Sequence, residues 1–387
     1  MKKLCLPSAR QSGFTLVELM IAITISIILL NGVLQIFQST KQSYRTADGL
    51  SRMQETARYA LDVLAQDIRS AGFLPCRKTT NIANTLNTSS GSFDFFGAPL
   101  FGFEGGVSTF PAEFQVEGTT HGTRLAGSDG LRIISGGNEV YSIVSHNPTS
   151  AQFKLSGSHD IEDGDILLVC DATNASIFQT TNANQANVTI VHNTGTASPG
   201  NCVQGLGFPV PAGCDGTYSG SPLGTAYTYG EGSQVVSFSS VIYYIGPSLS
   251  NGTTGRVAPD TNSLFRRSLG NDGAANIAFN APEELVEGIE TMQLIYGLAD
   301  DPNSAAMRYV TADNITADEW LNVVSVRVGL LLHTPEEIAT ANDTEEYDVV
   351  GTEIDSTGTT ITYPSDRRQR YVFSETIKLR NRGLGVL

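Results

Sequence analysis

The chain begins with an apolar segment that is long enough to cross a membrane. Twenty-four mostly hydrophobic residues run from Phe14 to Phe37. A helix of that length rises about 36 Å, and the hydrocarbon core of a bilayer is about 30 Å thick. The preceding residues carry Lys2, Lys3 and Arg10 and no acid, a charge that keeps this flank cytoplasmic. The pattern predicts one membrane-spanning helix near the N-terminus.

Beyond Phe37 the helical pattern continues as a single hydrophobic stripe on an otherwise polar helix. Apolar residues recur there at spacings of three and four, at Leu50, Met53, Ala57, Leu61, Leu64 and Ile68. No proline interrupts residues 14–71, and Gly72 followed by Pro75 predicts the end of the helix. The expected helix is about 85 Å long. Asn31 and Gly32 mark where it could bend, since a mid-helix glycine costs about 1 kcal/mol relative to alanine.

After Cys76 the pattern changes to short runs of β-branched and aromatic residues, separated by clusters of Asn, Gly, Ser and Thr. Such runs predict antiparallel strands joined by long loops. The candidate strands are 131–135, 139–145, 164–170, 235–245, 263–269, 292–297, 323–332 and 370–379. The polar stretches 78–93, 172–233 and 338–360 predict loops or insertions. The expected fold class is α+β, with a long N-terminal helix packed on an antiparallel β-sheet head.

Glu18 lies near the start of the apolar run and is the first candidate functional residue. A carboxylate inside a membrane-spanning helix costs about 2.5 to 3.5 kcal/mol on insertion scales, so it needs a partner and a purpose. An ordinary secretory signal ends in a small-residue cleavage site, and nothing like Ala-x-Ala follows Phe37. A processing site is therefore expected before the apolar run, not after it.

The residues Gly13, Phe14, Thr15, Leu16, Val17 and Glu18 resemble the cleavage motif of type IV prepilins. The resemblance implies that a membrane aspartyl peptidase cuts after Gly13. It also implies that the new N-terminal residue, Phe14, is N-methylated and that Glu18 becomes the fifth mature residue. The chain then divides into a leader (1–13), a stem helix (14–72, with 14–37 in the membrane) and a periplasmic or extracellular head (73–387).

Cleavage supplies a partner for Glu18. When subunits stack, the Glu18 carboxylate of one subunit can lie beside the new Phe14 ammonium of the next. A charge pair in a medium of low dielectric offsets a desolvation cost that neither charge could bear alone. Thr15 follows the new terminus and has two interpretations, a hydrogen bond to that terminus or a position facing lipid.

The cysteines predict a disulfide framework in the head. Cys5 leaves with the leader, and the four that remain are Cys76, Cys170, Cys202 and Cys214. An even number in an exported head favours two disulfides, with three connectivities. The short Gly/Pro-rich loop between Cys202 and Cys214 favours that pair and leaves Cys76 for Cys170. Zinc is the competing interpretation, disfavoured because no Cys-x-x-Cys pair is present.

Blocks at both ends of the head narrow the resemblance to the PilW-type minor pilins. These blocks read LAQDIRSAGFLPC, LVEGIETMQLIYGLADD, VVSVRVGLLLHTPEE and RRQRYVFSETIKLRNRG. The resemblance implies a low-abundance pilin that initiates pilus assembly at or near the tip and supports motility, adhesion or DNA uptake. Its head is expected to be related to J-type pseudopilins of type II secretion. The segment 172–233 falls outside the resemblance.

The same resemblance implies the partners and the location. The expected partners are prepilin peptidase, other minor pilins, the major pilin, the inner membrane and a tip adhesin. The subunit is expected as a single-pass inner-membrane protein with a periplasmic head, and after assembly in the pilus at the cell surface.

Charge and motif content exclude several classes of function. The formal net charge is −15, or about −18 without the leader. This balance argues against nucleic-acid binding, which depends on neutralising phosphates, and the cluster Arg367, Arg368 and Arg370 is the candidate exception. The sequence holds no Gly-x-Ser-x-Gly, phosphate loop or His-Glu-x-x-His, and its five histidines are scattered. It predicts neither an enzyme nor a cofactor.

Two acidic segments were candidates for metal ligands. His159 precedes a run of acidic residues that ends at Asp165, and Asp300, Asp301 and Asn303 follow a predicted strand. The first is better interpreted as an acidic turn that enters the predicted strand ending at Cys170. The second lacks the spacing of an EF-hand loop, and acidic turns are common in a head this acidic.

Two alternatives to the assembly role stay open. A J-type minor pseudopilin shares every feature of the stem. A tip adhesin or DNA receptor would use the segment 172–233 as its binding surface.

Overall fold

The computed structural model describes residues 15–73, 81–87, 99–106, 110, 114, 118, 120–195, 198–214, 217–248, 261–271, 277–300, 305–356 and 361–381. The chain forms two compact units, residues 1–52 and residues 53–387. The first contains the beginning of helix α1 (Leu16–Ser70), and the second contains the rest of that helix and the β-rich head. Residues 1–14 lie outside the described part. They include Gly13 and Phe14, the predicted sites of cleavage and N-methylation.

Helix α1 is continuous through Asn31 and Gly32, where the sequence allows a bend. It ends at Ser70, two residues before the predicted stop at Gly72, whose φ of 70° is a left-handed conformation that glycine adopts without strain. The Gly72 amide donates to the Ile134 carbonyl at 2.8 Å, so the end of the helix is hydrogen-bonded to the head. A side chain at Gly72 would lie 2.6 Å from the Asn381 carbonyl oxygen.

A smaller sheet packs with the second half of α1. Its strands are β13 (Ile289–Leu298), β14 (Arg308–Val310), β15 (Val323–His333) and β18 (Arg370–Lys378), in the order β14-β13-β15-β18. Two short 3-10 helices, Ala312–Asn314 and Glu319–Asn322, precede β15, and a separate ribbon is formed by β16 (Tyr347–Val349) and β17 (Thr352–Ile354).

The larger sheet has twelve strands among the described residues. They are β1 (Asn81–Asn84), β2 (Leu100–Phe103), β3 (Gly130–Asn147), β4 (Gln152–Leu155), β5 (Ile166–Cys170), β6 (Asn174–Gln179), β7 (Asn182–Asn184), β8 (Thr189–Val191), β9 (Gln234–Pro247), β10 (Asn262–Asn271), β11 (Ile277–Phe279) and β12 (Glu283–Glu287). The main path is β1-β6-β5-β9-β3-β4-β8-β7. Strand β10 pairs with β9, β11 and β12, and β2 pairs with β3.

The stem-facing core is built from α1, the smaller sheet and the adjoining parts of β3 and β9. Its helical residues are Met53, Ala57, Ala60, Leu64 and Ile68, each at most 2% exposed. The predicted stripe is therefore confirmed, with Ala60 more deeply buried than Leu61. The three- and four-residue spacing puts these side chains on one helix face.

A second core lies away from these residues, between strands β3 to β9. It contains Phe153, Phe178, Ile190 and Tyr229, all fully buried. One of the strands around this core is β5, all of whose residues are buried. The head is thus held by more than one hydrophobic cluster.

The α+β class is confirmed, with three differences in detail. Residues 131–135 and 139–145 predict two strands, but they form one strand, β3, with an irregular register between Gly136 and Val140. Strands β1 and β6 run parallel, so the sheet is mixed and not purely antiparallel. The stretches predicted as loops contain β1, β6 to β8, and β16 to β17.

Strands β6 to β8 are not evident from the sequence of 172–233, because polar residues of this segment are buried and hydrogen-bonded within the fold. The Asn201 side chain accepts the Gln179 amide at 2.7 Å and donates to the Gln179 carbonyl at 2.6 Å. The Gln179 side chain in turn donates to the Gly164 carbonyl at 2.9 Å. Polar side chains that replace backbone partners in this way support short strands without hydrophobic alternation.

Candidate assembly site at the start of the stem helix

Thr15 and Glu18 form a capping box at the first turn of α1. The Glu18 amide donates to Thr15 Oγ1 at 3.2 Å, and the Thr15 amide donates to Glu18 Oε2 at 3.0 Å. The Thr15 hydroxyl also donates to Glu18 Oε2 at 3.0 Å. Thr15 stands at the N-cap and Glu18 three residues later, which is the spacing this reciprocal arrangement requires. The carboxylate of Glu18 therefore closes the N-terminus of its own helix.

The helix surface after this box is apolar and exposed. Between Leu16 and Phe37 the large hydrophobic side chains are 47% to 74% exposed, and the helix is apolar and long enough to cross a membrane. Three of its polar side chains donate hydrogen bonds to backbone carbonyls one turn earlier in the helix. Thr24 donates to the Met20 carbonyl at 2.8 Å, and Ser26 and Asn31 make equivalent bonds four residues back. Such bonds satisfy polar groups where no water is available.

The box leaves part of the carboxylate available for a second partner. Both hydrogen bonds from Thr15 end on Oε2, and a carboxylate offers two acceptor oxygens. Glu18 can thus cap its helix through one oxygen and accept from an ammonium through the other. The Thr15 hydroxyl is bonded to Glu18, a partner that neither interpretation of Thr15 names, so both interpretations stay predictions.

Among the described residues, the disulfides agree with the pairing predicted from the cysteine spacing. Cys202 and Cys214 form a disulfide with Cα atoms 5.4 Å apart, the pair that their short loop favours. Cys170 is also disulfide-bonded. Its predicted partner, Cys76, lies outside the described residues, as does Cys5.

The basic cluster near the C-terminus is not an exposed patch. The side chain of Arg370 is fully buried, and its guanidinium contacts Glu290 at 2.8 Å, Asp366 at 2.9 Å and Asp343 at 3.2 Å. Arg368 is 2% exposed. Arg367 is exposed and pairs with a glutamate, Glu337, at 2.7 Å. These positions give the cluster a structural role and remove it as a phosphate-binding surface.

Two histidines that are separated in sequence meet in the second core. His146 Nε2 and His192 Nε2 lie 3.2 Å apart, and His146 Nδ1 accepts the Tyr229 amide at 3.1 Å. His146 must therefore carry its proton on Nε2 and donate to His192. Burial lowers the pKa of His146 to about 4, and burial together with the neighbouring His146 holds the pKa of His192 well below its usual value. The sequence offers no signal for this pair, because 46 residues separate its members.

The acidic segments act as turns where they are described. Asp165 Oδ2 accepts the Glu162 amide at 2.9 Å, and Asp163 accepts the Ala183 amide at 2.5 Å. No three His, Cys, Asp or Glu side chains within the described ranges are grouped as metal ligands. Asp301 and Asn303 lie outside those ranges.

Two family models match the chain at its two ends. The prokaryotic N-terminal methylation motif matches residues 8–30, which include the predicted cleavage position and the capping box. The type IV pilus-assembly protein W family, PilW, matches residues 242–381, which include the whole smaller sheet. The segment 172–233 falls outside both matches, and it also falls outside the resemblance described from the sequence.

A type IV-like pilin from Thermus thermophilus is similar in structure to 37% of this chain and 78% of its own chain. The sequence identity is 14% and the TM-score is 0.19, values too low to add to the assignment. No curated protein sequence matches the chain.

A methylation motif at the start of a long apolar helix, followed by a β-rich head, is the arrangement of a type IV pilin-like protein. The match over residues 242–381 gives this chain a PilW domain. The family consists of structural pilins and is not a known enzyme family.

Proposed function

We propose that this chain is a minor pilin that is cleaved after Gly13, N-methylated at Phe14 and built into a type IV pilus at or near its tip. There it helps to start assembly together with other minor pilins and the major pilin, and so supports pilus-dependent motility. Before assembly it is anchored in the inner membrane by residues 14–37, with residues 73–387 in the periplasm. Prepilin peptidase is its processing enzyme.

The observation that carries this proposal is the position of the capping box. Glu18 stands at the entry of an exposed apolar helix, one helical turn after Thr15. In a filament core the free oxygen of Glu18 accepts from the Phe14 ammonium of a neighbouring subunit. Since the box already restrains the carboxylate, less side-chain freedom is lost when that pair forms.

The capping box supplies matched variants that separate charge from helix capping. Glu18→Gln keeps a capping side chain at the third helical position but removes the charge, whereas Thr15→Ala removes the cap hydroxyl and keeps the charge. Both variants and Glu18→Ala should insert in the membrane at normal levels. The two Glu18 variants should fall by at least about tenfold in sheared pili, because breaking a buried charge pair costs about 3–5 kcal/mol.

The measurement is the amount of the variant in membrane and sheared-pilus fractions, with the mass of the mature N-terminal peptide checked in each. Thr15→Ala should remain near wild type in the pilus fraction. Wild-type incorporation of Glu18→Gln would show that only capping matters and would refute the charge pair. An unprocessed N-terminus in the wild-type subunit would refute the cleavage.

The kind of filament is tested in a deletion strain. We propose a type IV pilus, because the PilW match covers the whole smaller sheet of the head. Loss of surface pili with normal protein secretion is the expected result. Loss of secretion with normal piliation would instead assign the chain to a type II pseudopilus.

A second candidate function, tip adhesion, is favoured by one feature of the segment 172–233. In a chain that is 16% charged, the only Asp, Glu, Lys or Arg residues in this segment are Asp215 and Glu231. Phe208 is 51% exposed in the loop that the Cys202–Cys214 disulfide closes. Interfaces are depleted in charge and enriched in aromatic residues, so this surface is suited to adhesion.

The loop can be removed at an existing pair of residues. Leu206 and Ala226 face each other as an antiparallel bridge, so an Asn-Gly turn can replace residues 207–225, with Cys202→Ser to avoid a free thiol. The Gln204 amide loses its hydrogen bond to the Pro222 carbonyl in this variant. Normal piliation with lost adhesion would support the adhesin role. Unchanged adhesion to host cells or abiotic surfaces would exclude this loop as the adhesive surface.

A further inference from the structure

A polar pocket of about 530 Å³ opens beside the last turns of α1, within the second compact unit. Its wall combines the end of the helix, the irregular part of β3, the neighbouring strands β9 and β10, and the residues that follow β18. The charged residues in that wall are Asp67, Arg69, Arg266 and Arg380. Three arginines and one aspartate give the pocket a positive excess in a chain whose net charge is −15.

The arginines of the pocket differ in whether they pair with a carboxylate. Arg69 pairs with Glu375 at 3.1 Å, and both side chains are 38% exposed. The buried Nε of Arg266 has no hydrogen-bond partner within the described residues. Glu283 is its cross-strand neighbour on β12, but the two form no ion pair in the part of the chain that the structure describes. The Nε of Arg266 therefore has hydrogen-bonding capacity that none of the described residues uses.

The acidic residue in the wall is already engaged. Asp67 Oδ2 accepts the hydroxyl of Tyr243 at 2.6 Å. This bond holds the carboxylate at one side of the pocket, where it repels a second negative charge. The pocket is consequently matched to a single anionic group and not to a multiply charged one.

The backbone keeps the pocket open. At Gly136 and Gly137 the register of β3 against β9 is irregular, and a side chain at Gly137 would overlap the Ser237 hydroxyl. Bulges of this kind turn a strand locally and are common beside binding sites. Ser135, Ser239 and Asn381 add uncharged hydrogen-bonding groups to the wall.

We infer that this pocket binds an acidic side chain of a protein partner, with Arg266 and Arg380 as the receiving cations. The planar guanidinium matches a carboxylate through two parallel hydrogen bonds. The pocket is larger than one carboxylate requires and is in the range of sites that hold several bonded groups. The serines and Asn381 therefore hydrogen-bond peptide groups on either side of the acidic residue.

The test uses the purified full-length chain in detergent and four small probes. They are N-acetylglutamic acid α-amide, its glutamine counterpart, butyrate and inorganic phosphate, with binding measured by saturation-transfer NMR and titration. The glutamic acid probe should bind at least about tenfold more tightly than the glutamine probe. Equal binding of those two probes would overturn the inference.

The other two probes separate the sources of the anion. Butyrate carries the carboxylate without peptide groups, and equal binding of butyrate would indicate a site for small acids instead of a protein segment. Phosphate that binds more tightly than the glutamic acid probe would also overturn the assignment.

Variants then locate the site. Arg266→Gln with Arg380→Gln should weaken the glutamic acid probe by about tenfold or more. Arg308→Gln removes the same charge from an exposed ion pair with Glu319 and should leave binding unchanged. Arg380→Gln alone changes an exposed residue at the end of β18, so it tests the pocket even if the double variant folds poorly. An unchanged affinity in Arg380→Gln would remove that residue from the site.

Because the probes are added to the isolated chain, a negative result here leaves the pilus-incorporation test unaffected. Failure of Glu18 variants to lose incorporation would likewise leave this pocket standing.

Discussion

Replacement of the buried Arg370 by Met tests what holds the C-terminal strand in the smaller sheet. The Arg370 guanidinium is shared by Glu290, Asp343 and Asp366, and its side chain has no exposed surface. It also lies 4.2 Å from the centre of the Tyr363 ring. Methionine fills much of the same volume but leaves three carboxylates with little exposure and no shared cation.

The size of the effect follows from that geometry. Breaking a buried ion pair by removing one partner destabilises a protein by about 3–5 kcal/mol. Whole domains are stable by only about 5–15 kcal/mol, so Arg370→Met should remove a large part of the stability of the head. Adding Glu290→Gln should recover part of the loss at neutral pH.

Trp320 provides the assay. It is the single tryptophan of the chain, lies in the stem-facing core and is 7% exposed. Its fluorescence during urea unfolding of the full-length chain in detergent should show a midpoint lower by on the order of 1 M or more. Arg308→Met is the control, since exposed pairs contribute about 0–1 kcal/mol. If Arg370→Met shifts the midpoint no more than this control, the buried network does not stabilise the head as described.

Two further predictions concern the two cores. Between pH 6.5 and about 4, the wild-type free energy of unfolding should fall by about 1.4 kcal/mol per pH unit because of His146, whose pKa burial lowers to about 4, since the unfolded chain takes up protons first. The lowered pKa of His192 adds to this fall in the same direction. In His146→Asn the Oδ1 atom can still accept the Tyr229 amide, and the free energy of unfolding from urea titrations should depend less on pH. A pH dependence equal to that of the wild type would contradict the role of His146. Gly102→Ala would place a methyl group on the Tyr296 hydroxyl and should lower the free energy of unfolding by about 1–3 kcal/mol. A wild-type melting temperature in this variant would contradict the contact.

The periodic parts of the fold were the predictable ones. The stripe from Met53 to Ile68 specifies which face of α1 is buried, because a helix repeats its environment every three to four residues. The long strands β9, β13, β15 and β18 were evident from their β-branched and aromatic runs. Their boundaries move by at most three residues in the structure.

The remainder depends on contacts between distant residues. Strands β7 and β8 have three residues each and lack a local pattern, since their neighbours supply the pairing. His146 meets His192 and Arg370 meets Glu290 only after the chain has folded. The motif at Glu18 was visible, but its reciprocal bond with Thr15 was not anticipated, although the spacing of the two residues is that of a capping box.

The antiparallel pairing of β5 with β9 has a consequence for how this protein can diversify. Cys170 and Gln234 face each other across that ladder, and the chain between them adds strands β6 to β8 and then the loop that the Cys202–Cys214 disulfide closes. Within this segment only the loop between Leu206 and Ala226, whose ends pair with each other, can lengthen at little cost, since each doubling of a flexible loop adds only about 0.6 kcal/mol of closure entropy. Related chains could therefore vary this loop and the surface it presents while keeping the same sheet, stem and smaller sheet.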